Sequence, residues 1–214
     1  MKNILCFGDS NTWGYTPGTR VRYPADVRWT GVLAQALGED YHVMEDGLNG
    51  RTTVFDDPCH PGLKGSDQLP VSLQVHKPLD LVVLCLGSND LKFVSARWSA
   101  RGTETLLRQI LFDPNCPMDA VPTFPNGPKV LLVSPILVWE GLPETNPYGT
   151  LANGYEESTQ FAPELKRMAD AYHVEFLNAA DYGEPSHIDG VHMSPESHKK
   201  LGLAIAQKVR EMLG

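Results

Sequence analysis

The sequence contains a serine, an aspartate and a histidine of the types that perform acyl transfer. Ser10 follows Gly8 and Asp9, and Asp189 precedes His192 by three residues. A serine hydroxyl is a weak nucleophile at neutral pH, so it needs a base to accept its proton. His192 can accept that proton with one ring nitrogen, while Asp189 holds the other nitrogen and stabilises the imidazolium. We therefore predict a catalytic triad of Ser10, His192 and Asp189.

Acyl transfer also requires N–H groups that stabilise the oxyanion of the tetrahedral intermediate. Each such group lowers the barrier by about 3 kcal/mol. Glycine and asparagine occur in two short polar segments, Asp46–Arg51 and Gly87–Asp90. The backbone N–H groups of Ser10 and Gly50 and the side-chain amide of Asn89 are the candidate donors. We predict that these three groups form an oxyanion hole.

These polar segments follow short apolar runs, which predict the strands that position them. Five runs are rich in Val, Leu and Ile, as expected of parallel strands buried on both faces. They are Ile4–Phe7, Tyr41–Glu45, Leu81–Leu86, Val130–Ser134 and Val174–Leu177. Apolar residues at helical spacing predict helices between the strands: one that ends at Gly38, one over Phe161–Tyr172 and one capped by Ser194. The alternation predicts a doubly wound α/β sheet in a single domain over residues 1–214, with ligands beyond the carboxyl ends of the strands.

Composition and missing motifs exclude several other classes of protein. Lys and Arg number 18 against 26 Asp and Glu, for a net charge of −8, which argues against nucleic-acid and anionic-membrane binding. The sequence lacks the motifs of nucleotide-binding loops and of typical α/β-hydrolases. No apolar stretch approaches membrane-spanning length and no signal peptide is evident, so we predict a cytoplasmic protein. The four cysteines form no C-x-x-C pair, which disfavours a zinc site or a disulfide framework.

A metal site built from histidines is a weaker alternative. Imidazole and carboxylate groups at 187, 189, 192 and 198 could bind zinc or iron. The H-E-x-x-H motif is absent, however, and we interpret His198 as a surface residue of the last helix. We place His187 in a loop near the mouth of the site. The predicted cofactor and metal content is therefore none.

Four blocks of the sequence, taken together and in order, resemble the SGNH (GDSL) hydrolase superfamily. The blocks are Gly8-Asp9-Ser10, Gly50, Gly87-Ser88-Asn89-Asp90 and Asp189-Gly190-Val191-His192. The resemblance implies the same triad and oxyanion hole as the chemical argument. It also implies a flavodoxin-like three-layer α/β/α sandwich with a five-stranded parallel sheet, and no metal or organic cofactor.

Within that superfamily the sequence is most similar to bacterial aryl esterases, some of which transfer acyl groups to alcohols or hydrogen peroxide. The similarity lies in residues 4–14, 26–34 and 47–53. The chain departs from that branch at Asn11, where Leu is usual, and at Asn49-Gly50, where Ser-Ala is usual. The loop from Tyr15 to Tyr23 is shorter, which leaves open whether the chain forms a homo-oligomer.

We predict a serine esterase that hydrolyses small acyl esters, with acetyl esters favoured. Asn11 and Asn49 predict a polar pocket mouth, and Asn11, Trp13 and Asn49 are the predicted substrate-binding residues. Two alternatives use the same site: a carbohydrate O-deacetylase, and an acyltransferase or perhydrolase. A non-catalytic binding module would lack at least one triad or oxyanion residue, and none is missing. The segments Leu91–Gly127 and Ile136–Tyr155 are predicted as loops or lids over the site.

Overall fold

The computed structural model describes residues 1–112, 120–142, 151 and 153–214. Strands and helices alternate along the chain, as the apolar pattern predicts. In chain order they are β1 (Lys2–Gly8), α1 (Ser10–Trp13), α2 (Trp29–Leu37), β2 (Tyr41–Gly47), α3 (Gly65–His76), β3 (Leu81–Cys85), a first 3₁₀ turn (Ser88–Lys92), α4 (Ala96–Leu111), β4 (Val130–Ser134), α5 (Gly154–Ser158), α6 (Phe161–Tyr172), β5 (Glu175–Asn178), a second 3₁₀ turn (Ala179–Asp181) and α7 (Pro195–Leu213).

The five strands form one parallel sheet in the order β2-β1-β3-β4-β5. The five predicted strands are therefore confirmed, with ends that differ by at most two residues. Gly8 at the end of β1 lies beside Gly47 of β2 and Cys85 of β3. This register brings the carboxyl ends of three neighbouring strands to the same edge of the sheet. The polar segments that follow them must therefore begin side by side.

Helices cover both faces of the sheet, which confirms the three-layer sandwich. Successive side chains of a strand point to opposite faces. Ile4 and Cys6 of β1 accordingly belong to one buried cluster, which is packed by α2 and α7. Leu5 and Phe7 belong to the other, which is packed by α3, α4 and α6. Among the described helices, none combines the length and the apolar character that a membrane crossing requires.

The helix ends follow the predicted capping residues. Gly38 ends α2 with a φ of 81°, a conformation that glycine adopts without strain. Ser194 caps α7, because its Oγ accepts a hydrogen bond from the Ser197 N–H at 3.2 Å. Pro195 stands at the first helical position. These local signals correctly predict where the first and last long helices stop and start.

The first predicted lid segment is wrong over much of its length. Ala96–Leu111 is a 16-residue helix, α4, and its Leu106, Leu107 and Ile110 are completely buried. The buried face of α4 also contains small residues, so its apolar pattern is difficult to recognise in the sequence. A side chain at Gly102 would overlap Thr53, so the glycine permits close contact between α4 and the loop after β2. Residues 113–119, 143–150 and 152 of the two predicted lids lie outside the described residues, as does Cys116.

His198 is buried, which corrects its interpretation as a surface residue. Its Nδ1 accepts a hydrogen bond from the Trp29 N–H at 3.3 Å, so it satisfies the N-terminus of α2 from a different helix. The N-cap residue Arg28 makes no such side-chain bond. Burial lowers the pKa of His198 to about 3, so the ring is neutral. The cause of the error is the close approach of α7 to α2, where Gly202 lies against the Trp29 carbonyl.

Candidate active site

Ser10 stands at the turn between β1 and α1. Gly8 ends the strand, and a Cβ there would lie 2.6 Å from the Cys85 carbonyl oxygen, so only glycine fits. Asp9 caps α1, because its Oδ1 accepts a hydrogen bond from the Asn11 N–H at 3.0 Å. Ser10 is the first residue of the helix and is 8% exposed. The turn therefore holds the Ser10 hydroxyl at the carboxyl edge of the sheet.

The structure brings Ser10, His192 and Asp189 into one hydrogen-bonded chain. His192 Nε2 lies 2.9 Å from Ser10 Oγ, and His192 Nδ1 lies 2.9 Å from Asp189 Oδ2. Both distances are within the range of proton transfer. With Nδ1 protonated toward Asp189, Nε2 is left to accept the serine proton.

Backbone groups fix the Asp189 carboxylate in this orientation. Its Oδ1 accepts hydrogen bonds from the Val191 N–H at 3.2 Å and the His192 N–H at 3.1 Å. Its Oδ2 accepts another from the Gly18 N–H at 3.2 Å. Burial raises the pKa of Asp189, but the bonds from His192 and from the backbone outweigh burial and hold the pKa below its usual value. The carboxylate is therefore ionised at neutral pH.

Tyr15 is a further residue of the site, absent from the predicted set. Its ring stacks on the His192 imidazole, with ring centroids 4.3 Å apart. Its backbone N–H donates to the Ser10 carbonyl at 3.0 Å, so α1 positions it. Trp13, which was predicted to bind substrate, is not among the residues that line the cavity. Its ring instead lies under the Arg22 guanidinium, 5.3 Å from the ring centroid.

The three predicted oxyanion donors lie around the same cavity. Gly50 has a φ of 80°, which a glycine allows at a tight turn. Asn89 lies on the first 3₁₀ turn, and its Nδ2 donates to the Arg51 carbonyl at 3.1 Å. Ser10, Gly50 and Asn89 all line the cavity. The bond between Asn89 and Arg51 ties together the two loops that carry two of the donors.

Two buried charged residues hold these loops, and the sequence argument assigned neither to the site. Arg51 donates to the Gly8 carbonyl at 2.9 Å and pairs with Asp46 Oδ1 at 2.7 Å. Asp90 accepts hydrogen bonds from the Thr53 N–H at 2.8 Å and from Ser99 Oγ at 2.7 Å. Burial raises the pKa of Asp90 to about 6. The sequence feature that could have identified Arg51 and Asp90 is a charged residue close to a glycine after a strand.

The Ser10 hydroxyl faces a cavity of about 160 Å³. The apolar residues that line it include Ile136, Leu137, Val138, Leu151 and Val191. The polar lining residues include Asn49, Ser88, Asn89 and Lys92, together with Gly50. The Lys92 side chain is 18% exposed, and its Nζ lies 3.9 Å from Asp57 Oδ2. Burial lowers the pKa of Lys92.

The two residues predicted at the pocket mouth, Asn11 and Asn49, differ in the hydrogen bonds of their side-chain amides. Asn49 lines the cavity, and its buried Oδ1 has no hydrogen-bond partner among the described residues. Asn11 also lines the cavity, but both ends of its amide bind the backbone of the segment that carries His192. His187 stacks on Trp139, with ring centroids 4.6 Å apart. The amide of Asn11, which was predicted to make the pocket mouth polar, thus forms hydrogen bonds to the protein's own backbone.

Comparison with known proteins gives both a family and close structural relatives. A model of the GDSL-like Lipase/Acylhydrolase family matches residues 6–200. The aryl esterase of M. smegmatis is 38% identical, with 100% of each chain covered and a TM-score of 0.91. A carbohydrate acetylesterase from Sinorhizobium meliloti is 39% identical, also with 100% of each chain covered and a TM-score of 0.91. A search of curated proteins found no match.

The family match extends from β1 into α7 and includes all four sequence blocks. The five-stranded parallel sheet and its helical layers match the SGNH hydrolase structures over the whole chain. Sequence, fold and family therefore agree. The chain belongs to the GDSL-like lipase/acylhydrolase family of SGNH hydrolases and is a carboxylic ester hydrolase.

Proposed function

We propose that the protein hydrolyses short-chain acyl esters, with acetyl esters favoured, through a Ser10–His192–Asp189 triad. The observation that carries the proposal is the chain of two 2.9 Å contacts from Ser10 Oγ through the His192 ring to Asp189 Oδ2. At the Ser10 end of this series of contacts lies a cavity of about 160 Å³. These contacts support the assignment of Ser10 as nucleophile, His192 as base and Asp189 as orienting carboxylate.

The first half of the reaction forms an acyl-enzyme. His192 Nε2 takes the proton of Ser10 as Oγ forms a bond to the carbonyl carbon of the ester. The carbonyl electron pair moves to oxygen, and the resulting oxyanion accepts hydrogen bonds from the N–H groups of Ser10 and Gly50 and from Asn89. The intermediate then collapses as His192 returns the proton to the departing alcohol. Ser10 is left esterified.

The second half regenerates the enzyme with water. His192 takes a proton from a water molecule, whose oxygen attacks the acyl carbon of esterified Ser10. The same three donors stabilise the second oxyanion. The bond between Oγ and the acyl carbon breaks, Ser10 regains its proton from His192, and the acid leaves. Asn89 suits this role because its amide has two N–H bonds, one used by the Arg51 carbonyl and one left for substrate.

The cavity volume supports a short acyl chain. A cavity of about 150 Å³ holds a molecule the size of benzene. The value here, about 160 Å³, is sufficient for an acetyl group together with the adjoining part of the alcohol. We expect kcat/KM to be at least about tenfold lower for p-nitrophenyl octanoate than for p-nitrophenyl acetate. A value that rises with chain length would contradict the short-chain proposal and indicate a longer apolar groove.

A second candidate, hydrolysis of O-acetyl groups on carbohydrates, is favoured by the polar side chains that line the cavity. Residues three apart on a 3₁₀ helix lie on the same face. Lys92 therefore follows Asn89 along the wall of the cavity, and no described residue accepts a hydrogen bond from its Nζ. Asn49 Oδ1 is a buried acceptor that has no hydrogen-bond partner within the described part of the chain. A donor and an acceptor beside the ester suit a hydroxyl-rich alcohol, and the S. meliloti relative is a carbohydrate acetylesterase.

Substitution of Lys92 by methionine tests the sugar-ester candidate. We expect the ratio of kcat/KM for acetylated xylose to kcat/KM for p-nitrophenyl acetate to fall about tenfold. The reason is that p-nitrophenol offers no array of hydroxyl groups to the ammonium. Lys64→Met is the matched control, since Lys64 pairs with Asp56 and Asp67 and does not line the cavity. An unchanged ratio in Lys92→Met would remove this argument for a carbohydrate substrate.

Acyl transfer is the other alternative that would use the same site. An alcohol or hydrogen peroxide that reaches esterified Ser10 in place of water would yield a new ester or a peracid. Exclusion of water from the cavity decides between these outcomes. The cytoplasmic location stays a prediction from the sequence, and the sequence leaves the oligomeric state open.

A further inference from the structure

The side chain that follows Ser10 binds both sides of the residue that carries the base. Asn11 Nδ2 donates to the Val191 carbonyl at 3.1 Å. Asn11 Oδ1 accepts from the Met193 N–H at 3.0 Å. Val191 and Met193 are the immediate neighbours of His192. One amide thus brackets the histidine by its flanking backbone groups.

Most of the other hydrogen bonds of the segment that carries His192 join residues within that segment. The Asp189 carboxylate accepts from the N–H groups of Val191 and His192, and the Ser186 N–H donates to the His192 carbonyl. Among the described residues, the Gly18 N–H and the Trp139 N–H also bind the segment, and the Tyr15 ring stacks on His192. Neither of these donors belongs to α1. Asn11, which belongs to α1, adds its two hydrogen bonds to the backbone of this segment.

Asn11 is itself held rigidly. Its backbone N–H donates to Asp9 Oδ1 at 3.0 Å, and it lies within α1 directly after the nucleophile. Movement of the amide relative to Ser10 is therefore small. Each polar end of the amide makes one bond to the backbone of the segment that carries His192, so the side chain links α1 to that segment.

We propose that Asn11 is a positioning residue that holds His192 Nε2 within hydrogen-bonding distance of Ser10 Oγ. The inference rests on the proposed triad. Proton transfer requires heavy atoms about 2.6–3.2 Å apart. A displacement of about 1 Å at a reacting group can cost about 100-fold in rate. The bracket keeps that distance at 2.9 Å.

The test is a comparison of Asn11→Leu with Asn11→Asp. Leucine removes both bonds and is the usual residue at this position in the aryl esterases that the sequence resembles. We expect kcat for p-nitrophenyl acetate to fall about 10- to 100-fold in Asn11→Leu, with KM changed by less than about threefold. The rate at which diethyl p-nitrophenyl phosphate labels Ser10 should fall by a similar factor.

Asn11→Asp keeps an acceptor for the Met193 N–H and loses the donor to Val191. We expect a smaller loss of kcat than in Asn11→Leu. We also expect the acid limb of the pH–kcat profile to move to higher pH, because a nearby carboxylate favours the imidazolium form of His192. This variant keeps the proposal testable if Asn11→Leu fails to fold. A change in the pH profile would not arise from a loss of stability alone.

Asn3→Leu is the matched control. Asn3 also donates from its side chain to a backbone carbonyl, that of Pro78 at 2.8 Å, but it lies at the opposite end of β1. Its kcat should stay within about twofold of wild type. The proposal is overturned if both Asn11 variants keep wild-type kcat, pH profile and labelling rate. If wild type itself is neither labelled at Ser10 nor active, the proposed triad is wrong instead.

Discussion

Ser10→Ala is expected to lower kcat for p-nitrophenyl acetate by about 10⁴- to 10⁶-fold. The substitution removes the only atom that forms the covalent bond to the acyl group in the proposed mechanism. His192 and the three oxyanion donors remain, so a small residual rate is expected from the site without its nucleophile. Steady-state hydrolysis with a burst measurement gives both the turnover and the amount of acyl-enzyme formed.

The control for this variant is Ser66→Ala on α3, a serine that does not line the cavity. It should keep wild-type kcat within about twofold. A Ser10→Ala protein that hydrolyses the ester at the wild-type rate would mean that the activity does not use this serine. The metal-site alternative would then have to be reconsidered.

Asp189→Asn is expected to lower kcat by about 10⁴-fold. Asparagine retains an oxygen that can accept from the N–H groups of Val191 and His192, but its amide nitrogen loses the bond that Oδ2 accepts from the Gly18 N–H. Its amide N–H group would instead face His192 Nδ1, which must then accept a hydrogen bond. The proton moves to Nε2, and that nitrogen can no longer take the proton of Ser10. The effect therefore acts through the tautomer of His192.

The measurement is kcat across the pH range, together with Tm to confirm that the variant is folded. Asp181→Asn serves as the control, because Asp181 is exposed and accepts a hydrogen bond from Asn178. We expect Asp181→Asn to match wild type. Retention of more than about a tenth of the wild-type kcat in Asp189→Asn would show that Asp189 does not orient the base.

The strand-end positions of the site could be predicted from the sequence because parallel strands impose them. Once the apolar runs are assigned, Ser10, Gly50 and Asn89 each follow a strand, and the observed register at Gly8 brings those strand ends together. The contact between Asp189 and His192 was predictable from their separation of three residues. Local spacing and strand periodicity were thus the main basis for predicting the positions of these residues.

Residues whose roles depend on a remote partner could not be predicted in the same way. His198 lies on a helix whose exposed positions also carry lysine and glutamate, and only the packing of α7 on α2 shows that its ring caps Trp29. Asn11 has the polarity of a pocket residue, but its partners are about 180 residues away in the chain. Helix α4 lies in a segment that was predicted as a loop or lid from its clusters of Pro, Asn and Gly, and its apolar face was not recognised.

Covalent labelling of Ser10 tests the central claim most directly. Wild type, Ser10→Ala and Ser66→Ala would be incubated with diethyl p-nitrophenyl phosphate, and the adduct would be located by intact-mass and peptide mass spectrometry. The mechanism predicts one diethylphosphoryl group per chain, on Ser10, with loss of esterase activity in proportion to labelling. The account is contradicted if the label lies on another residue, or if wild type hydrolyses p-nitrophenyl acetate at full rate after Ser10 has been modified.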